Sequence, residues 1–183
     1  YPLRRQRQMC IRDRNKELLK YAQTDALTGL YNKETTEQLT DELLSEDENK
    51  SHAFLILDVD CFKQINDIYG HAVGDIVLQK FGKLLKGTFR EEDILGRIGG
   101  DEFGVIMKNI QTKDIAMKKA GELLAKTQAY KIDELKGNNI SISIGISTAP
   151  QDGDCYMDLY KRADQALYQA KRSGKARVCN YFL

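Results

Sequence analysis

The chain has 183 residues, enough for one domain that buries roughly 70% of its unfolded surface without cross-links. Its 28 Lys and Arg residues nearly balance its 27 Asp and Glu residues, so no basic field indicates nucleic acid as a partner. No apolar run approaches the ~20 residues that span a bilayer, and the four cysteines form no Cys-x-x-Cys pair. We expect a cytoplasmic domain with no membrane segment of its own; any anchor would lie in a missing N-terminal part.

The beginning of the chain is excluded from the predicted fold. Residues 9–14 (MCIRDR) resemble the translated end of a transposon adapter used in DNA library preparation, so we expect residues 1–14 to be non-native. A natural basic linker is the alternative. Residues 15–24 combine helix formers with apolar Leu18, Leu19 and Ala22, which predicts the end of a connecting helix. The main domain is expected over residues 25–183.

Hydrophobic periodicity predicts a mixture of helices and strands in this domain. The predicted helices cover residues 33–44, 73–85, 115–127 and 156–172, with a polar loop over 45–51. The predicted strands cover residues 53–59, 94–98, 103–107, 140–147 and 176–181. After residue 60, a short helical turn places Lys63, Asn66 and Asp67 on one face. Because a hairpin lies at the centre, we predict an α/β (α+β) layer fold with a mostly antiparallel sheet flanked by helices.

Two groups of acids are delivered by predicted strands. In residues 97–103 (RIGGDEF), two glycines separate two strands and the second strand begins with acids. Adjacent glycines permit positive φ at both central positions, so we predict a two-residue hairpin turn at Gly99 and Gly100. The apolar run at 53–57 ends in Asp58-Val59-Asp60. If these strands are neighbours, Asp58 and Asp101 can share a hard cation.

A helix N-cap is the alternative role for the acids at the end of the first strand. For Asp58 we favour a metal-binding role over an N-cap role, because the glycines and acids of the hairpin stand in the same chain. For Asp60 we retain it as the favoured interpretation.

The hairpin also carries a resemblance to a known family. Gly-Gly-Asp-Glu-Phe at 99–103 is the signature of the GGDEF-type diguanylate cyclases, and further matching blocks stand at 25–32 (DALTGLYN), 57–67 (LDVDCFKQIND), 70–75 (GHAVGD), 143–147 (SIGIS) and 163–171 (ADQALYQAK). The blocks are ordered and run from about Asp25 to the C-terminus. The resemblance implies a palm-like nucleotide-cyclase fold. It also implies a nucleotidyltransferase, with phosphorus-oxygen lyase-like chemistry, that condenses two GTP into cyclic di-GMP and two pyrophosphates.

The family's chemistry implies two Mg²⁺ ions per active site, with Mn²⁺ as a possible substitute. The implied metal ligands are Asp58, the backbone carbonyl of Val59, and Asp101. Glu102 is expected near the second metal or the attacking hydroxyl. Asp101, Glu102 and Lys63 are the implied catalytic residues, and which acid removes the proton stays open.

Guanine recognition is expected at Asp75, with Asn66 beside it. Guanine presents N1–H and N2–H₂ donors that a carboxylate accepts, whereas adenine presents an acceptor at N1. Cap or turn residues near Gly70 and Gly74 are the alternative for this pair.

Phosphate binding is expected from basic side chains and from amides at the start of the short helix. The implied substrate-binding residues are Phe62, Lys63, Asn66, Asp75, Gly99, Gly100, Lys171 and Lys175. The last of these stands where the family usually has arginine, so the charge is kept and the bidentate fork is lost.

An Arg-x-x-Asp pattern, Arg90 and Asp93, precedes the glycines and is similar to the family's product-inhibition site. A solvated charge run is the alternative. Because the product requires two GTP molecules, a homodimer with facing half-sites is expected, controlled by an upstream sensory domain missing from this chain. The alternative function is a non-catalytic module that binds GTP or cyclic di-GMP. We favour catalysis because Asp58, Lys63 and the acids of the hairpin are all present.

Overall fold

The computed structural model describes residues 22–46 and 50–181. The predicted non-native segment 1–14 and most of the predicted connecting helix over 15–24 lie outside the described residues; residues 22 and 23 are helical. No helix within the described ranges is both long and apolar enough to cross a membrane.

Among the described residues, five complete α-helices and five strands follow one another in the predicted order. The helices are α1 (Lys33–Glu46), α2 (Phe62–Tyr69), α3 (His71–Lys86), α4 (Lys113–Ala129) and α5 (Tyr156–Arg172). The strands are β1 (His52–Val59), β2 (Ile94–Arg97), β3 (Glu102–Met107), β4 (Ile142–Ala149) and β5 (Val178–Asn180). Apart from the short turn that is seen as the full helix α2, the ends of these elements lie within two residues of the predicted ends.

The strands form one sheet in the order β2-β3-β1-β4-β5. Three of its four pairings are antiparallel and only β4 with β5 is parallel, which confirms the predicted mostly antiparallel sheet. Strand β1 lies at the centre and is buried along its whole length. The apolar run that predicted a buried strand is therefore explained by helices covering both faces of the sheet.

Alternate residues of β1 enter two different cores. Leu55 and Leu57 pack with residues of α3 and α4, whereas Phe54 and Ile56 pack with residues of α1 and α5. This sandwich fixes the C-terminal end of β1 relative to the ends of the helices.

Close packing of α5 on the sheet depends on Gly145 in β4. A Cβ at this position would overlap the backbone of Ala163 and Leu167 in α5. The missing side chain therefore lets the helix lie directly on the strand. As a result, the C-terminal turn of α5 reaches the end of β1.

The connection between β2 and β3 corrects one prediction. It spans four residues, 98–101, between the end of β2 at Arg97 and the start of β3 at Glu102. Neither glycine has a φ in the left-handed region, so the expected two-residue turn with two positive φ values is wrong. The N–H groups of Ile98 and Gly99 both donate to the Glu102 carbonyl, at 3.0 and 3.2 Å, and this shared acceptor sets the wider loop.

Candidate active site

The C-terminal end of β1, the β2–β3 loop and the end of α5 meet at one place. Asp58 lies opposite Glu102 in the β1–β3 register. The N–H of Val59 donates to the carbonyl of Asp101 at 3.2 Å. The two strands that carry the acids are thus adjacent, which is what sharing one cation requires. Three carboxylates, those of Asp58, Asp101 and Glu102, lie near the tip of β1.

One lysine ammonium neutralises part of this acidic cluster. Lys171 near the end of α5 forms an ion pair with Asp58, with 2.6 Å between Nζ and Oδ2. The side chain of Asp58 is only 9% exposed, and that of Lys171 is 36% exposed. The pair therefore joins a buried acid to the rim of the site.

Burial and like charge shape the protonation of these acids. Burial raises the pKa of Asp58, and the charges of Asp101 and Asp60 add to the rise, while Lys171 opposes it. Burial and the charge of Asp58 likewise raise the pKa of Glu102. Such a cluster has more negative charge than one ammonium can balance. Its donors are all carboxylate or carbonyl oxygens, the ligand chemistry that suits Mg²⁺.

Asp60 has a different environment, although it lies two residues from Asp58. Its carboxylate accepts hydrogen bonds from the hydroxyls of Ser141 and Ser143, at 2.8 and 2.7 Å, and from the Ala176 N–H at 3.1 Å. It therefore joins β1 to β4 and to the segment after α5.

The expected helix cap is absent from the start of α2. The residue that precedes this helix is Cys61, in a left-handed conformation with φ 58° and no side-chain cap. The N-cap interpretation of Asp58 and Asp60 is wrong because their carboxylates are engaged elsewhere.

Helix α2 and the start of α3 hold the residues expected to bind the base. The buried Oδ1 of Asn66 accepts no hydrogen bond from any described residue. A Cβ on Gly74 would overlap this oxygen, so the glycine lets the Asn66 side chain pack directly against the start of α3. Asp75 follows Gly74 and is exposed, and Lys63 is exposed on α2.

Phe62, the first residue of α2, is half-buried against the core of the sheet. Its ring faces Gly74, where an added Cβ would lie 3.2 Å from the ring edge. Phe62 thus packs the start of α2 against Gly74, beside Asn66.

Lys175 lies beside the start of α2. Its ammonium donates to the Sγ of Cys61 at 3.1 Å, and this contact raises the pKa of Lys175. The segment is held in unusual geometry, because Lys175 and Ala176 both have positive φ, at 61° and 49°. The Ala176 N–H bond to Asp60 stabilises this turn.

Gly99 and Gly100 occupy different environments in the β2–β3 loop. A Cβ on Gly99 would lie 3.0 Å from the Glu102 carboxylate, whereas a Cβ on Gly100 would meet no heavy atom within 4 Å. Gly99 is therefore closely packed against the Glu102 side chain, and Gly100 leaves open space.

Arg97 and Asp25 position this loop, and we did not assign either residue a role from the sequence. Arg97 donates to the Gly100 carbonyl at 2.7 Å from Nη2 and 3.1 Å from Nε, and its Nη1 reaches both Asp25 oxygens at 3.2 and 3.1 Å. Burial opposes ionisation of Asp25, but hydrogen bonds from Thr28 and the Arg97 guanidinium outweigh it and lower its pKa. Asp25 lies in the matching block 25–32, whereas Arg97 lies outside the matching blocks, two residues before the Gly-Gly-Asp-Glu-Phe signature.

The residues expected to bind inhibitory product lie away from the acidic cluster. Arg90 and Asp93 precede β2, whereas the glycine loop follows it. Arg90 is exposed, and its Nη1 lies 3.6 Å from Glu92. The buried Asp93 carboxylate accepts the backbone N–H groups of Arg90 and Lys108, each at 3.0 Å. A cavity of about 610 Å³ borders both predicted residues.

The fold and this site define a class: palm-like α/β domains with carboxylates at the end of the central strand and at the adjoining hairpin. Within that class, the family described as "Diguanylate cyclase, GGDEF domain" matches residues 22–177. The chain belongs to this family, which confirms the resemblance drawn from the motifs.

Known proteins support the assignment. Diguanylate cyclase A of Treponema denticola is 37% identical over 171 residues, which cover 90% of this chain and 46% of that protein. The response regulator PleD of Caulobacter vibrioides is 37% identical over 165 residues, covering 87% of this chain and 36% of PleD. The chain therefore spans less than half the length of these curated relatives.

Solved structures support the fold. A GGDEF-domain structure of TpbB from Pseudomonas aeruginosa matches with TM-score 0.82 and 34% identity, covering 87% of this chain and 95% of that chain. The GGDEF domain of DgcB from Caulobacter crescentus, solved in complex with c-di-GMP, matches with TM-score 0.81 and 26% identity over 88% of this chain and 94% of that one.

Proposed function

We propose that this domain is a diguanylate cyclase that joins two GTP molecules into cyclic di-GMP and releases two pyrophosphates. The observation that carries the proposal is the meeting of Asp58, Asp101 and Glu102 at the tip of β1, beside Lys171, in a GGDEF-family domain. A purely structural cluster gives no reason to bury like charges together.

The proposed metal ligands are Asp58, the Val59 carbonyl, Asp101 and Glu102, which would hold two Mg²⁺ ions, with Mn²⁺ as a substitute. Their oxygen donors and surplus negative charge support this assignment. The bound ions supply charge stabilisation at the reacting phosphate. Glu102 is assigned to the second ion or to the attacking 3′-hydroxyl, since its side chain lies opposite Asp58 at the start of β3.

Guanine is proposed to bind at Asn66 and Asp75. The unpartnered, buried Oδ1 of Asn66 supports this, because such an oxygen lacks the hydrogen bond that would offset its burial. Guanine N–H donors supply that bond. Adenine offers an acceptor in place of the N1–H donor and leaves the acceptors of the site unpaired.

The triphosphate is proposed to lie between the start of α2 and the end of α5. Lys63, Lys171 and Lys175 provide positive charge, and the first amides of α2 provide oriented dipoles behind Phe62. Open space beside Gly100, in the loop that carries Asp101, leaves room for phosphates.

The active form is proposed to be a homodimer, because one site binds one GTP and the product contains two. Product feedback is proposed at Arg90 and Asp93, and an upstream sensory domain is proposed to control dimerisation. The DgcB domain in complex with c-di-GMP supports product binding by this fold. A GTP-consuming enzyme also suits the cytoplasm, where its substrate is.

A direct assay tests the proposal. Purified domain at high concentration is incubated with GTP and Mg²⁺, and products are identified by mass, with Asp101→Ala as the control. We expect cyclic di-GMP from the wild type and none from the variant. Tight GTP binding without product, even when a fused leucine zipper enforces dimerisation, would replace the cyclase assignment with the binding-module function.

A further inference from the structure

The ion pair with Lys171 uses a carboxylate oxygen of Asp58, a residue that the proposed function assigns as a metal ligand. The Lys171 Nζ lies 2.6 Å from Asp58 Oδ2 at the tip of β1. The lysine comes from the last turn of α5, whose position on the sheet is set by the close contact at Gly145. The contact therefore joins two rigid elements through one flexible side chain.

The charges around this pair explain why it forms. Glu102 experiences the negative charges of Asp58, Asp101 and Asp164, and Lys171 is the neighbouring cation that counters them. Asp164 lies seven residues before Lys171, on the same side of α5. A buried carboxylate without a counter-charge is strongly destabilising, so Lys171 stabilises the acidic cluster when no other cation is present.

A divalent cation makes this arrangement unfavourable. An ammonium and a metal ion on one carboxylate lie only a few ångströms apart and repel each other. Lys171 is partly exposed and has a four-carbon stem, so it can leave Asp58 without movement of the backbone.

We propose that Lys171 acts as an internal counter-ion. Its ammonium holds the Asp58 carboxylate until metal binding releases the lysine, which then turns toward the substrate phosphates. This inference rests on the proposed metal-dependent cyclase site. It implies that metal alone binds weakly because it competes with Lys171. Metal and triphosphate then bind cooperatively, since the released ammonium gains a phosphate partner.

The test measures binding of Mn²⁺ alone, without nucleotide, by calorimetry. Lys171→Met is expected to bind Mn²⁺ about tenfold more tightly than the wild type, because the competing ammonium is gone. Lys175→Met is the matched control, since it removes one positive charge nearby whose contact is Cys61 rather than a carboxylate. Its affinity for Mn²⁺ is expected to change by less than about threefold.

Each outcome has a defined meaning. Unchanged or weaker Mn²⁺ binding by Lys171→Met overturns the counter-ion role, and equal tightening in both variants reduces it to a general charge effect, which also overturns it. Asp58→Asn separates this inference from the proposed site. If Asp58→Asn binds Mn²⁺ as the wild type does, the metal assignment of Asp58 itself fails.

A measurement on the wild type covers the case in which Lys171→Met does not fold. Lysines are reductively methylated with ¹³C, which keeps their charge, and the Lys171 resonance is identified as the one missing from Lys171→Arg. Adding Mg²⁺ alone is expected to move that resonance toward the position of solvent-exposed lysines. A stationary Lys171 resonance at saturating Mg²⁺ overturns the inference.

Discussion

Asp58 and Asp60 are two residues apart, equally buried at 6% exposure, and differ in what holds their charge. Three fixed donors of the fold bind Asp60: two serine hydroxyls and one backbone N–H. Asp58 instead faces other carboxylates, and its counter-charge is the end of a flexible lysine. A buried acid saturated by fixed donors acts as structure, whereas one balanced by an exchangeable cation is available for chemistry.

The largest effect is expected at Asp58. Asp58→Asn keeps the shape of the side chain but removes the charge of the proposed metal ligand, so cyclic di-GMP formation should fall by about a thousandfold or more. Thermal unfolding should show little loss of stability, because burial and like charge already disfavour the carboxylate. Activity within tenfold of the wild type would show that the charge of Asp58 is not needed for catalysis.

At Asp60, in contrast, substitution is expected to lower the stability of the fold. Asp60→Ala leaves two serine hydroxyls and the Ala176 N–H without their acceptor, so the free energy of unfolding should fall by about 2–4 kcal/mol. Urea unfolding measures this loss, and Asp60→Asn, which retains one oxygen acceptor, serves as the milder control. An unchanged unfolding midpoint for the alanine variant would show that these bonds do not hold the fold.

Asp93 extends the comparison to the other end of β2. Its oxygens accept backbone N–H groups, as in a structural acid, whereas Arg90 is exposed. Arg90→Ala should raise the concentration of cyclic di-GMP needed for half inhibition at least about tenfold, since the guanidinium of the proposed product site is lost. The rate without product should not change. An identical inhibition curve would remove the product site from this region.

Arg97 tests how the loop is held near Asp58. Arg97→Lys keeps one positive charge but loses the fork that binds the Gly100 carbonyl and Asp25 together. We expect a loss of about 1 kcal/mol in unfolding free energy and a lower kcat with little change in KM for GTP. Arg97→Met should be worse in both measurements. An equal loss in the two variants would show that the charge alone contributes nothing, and wild-type behaviour of both would show that the Arg97 fork does not hold the loop.

The smallest effect is a pH dependence at Glu102. Because its pKa is raised in the fold, the folded state binds more protons than the unfolded state above the ordinary value of 4.5. Glu102 therefore lowers stability as pH rises from 4.5 through the folded-state pKa. Glu102→Gln should be more stable than the wild type at pH 7.5 without metal, and the difference should vanish near pH 4. A difference that is constant with pH would contradict this sign.

Local patterns predicted the elements well because the helices bury one repeating face, whereas β1 is a continuous apolar run that is buried on both faces. The apolar run before Asp58 and the acids after the two glycines predicted acids at the ends of two strands, and the structure shows that these strands are neighbours. The local turn rule failed at Gly99 and Gly100, since the doubled hydrogen bond to Glu102 and the Arg97 fork impose a wider loop.

Contacts over long separations left no local signal. Arg97 and Asp25 are 72 residues apart, and Asp60 lies 81 residues before Ser141. A charge or a hydroxyl pairs with whatever the fold brings within about 3 Å, so periodicity and spacing carry no information about such partners.

From the sequence by itself came the family, which rests on matching motifs, and the order of helices and strands, which depends on local propensity and hydrophobic repeats. The acids at the ends of two strands could also be read from the sequence. Only the tertiary structure decided which buried acid is saturated and which is balanced by Lys171. That distinction depends on desolvation and on donors from β4 and α5, which are distant in the chain and meet only when the sheet and its helices pack.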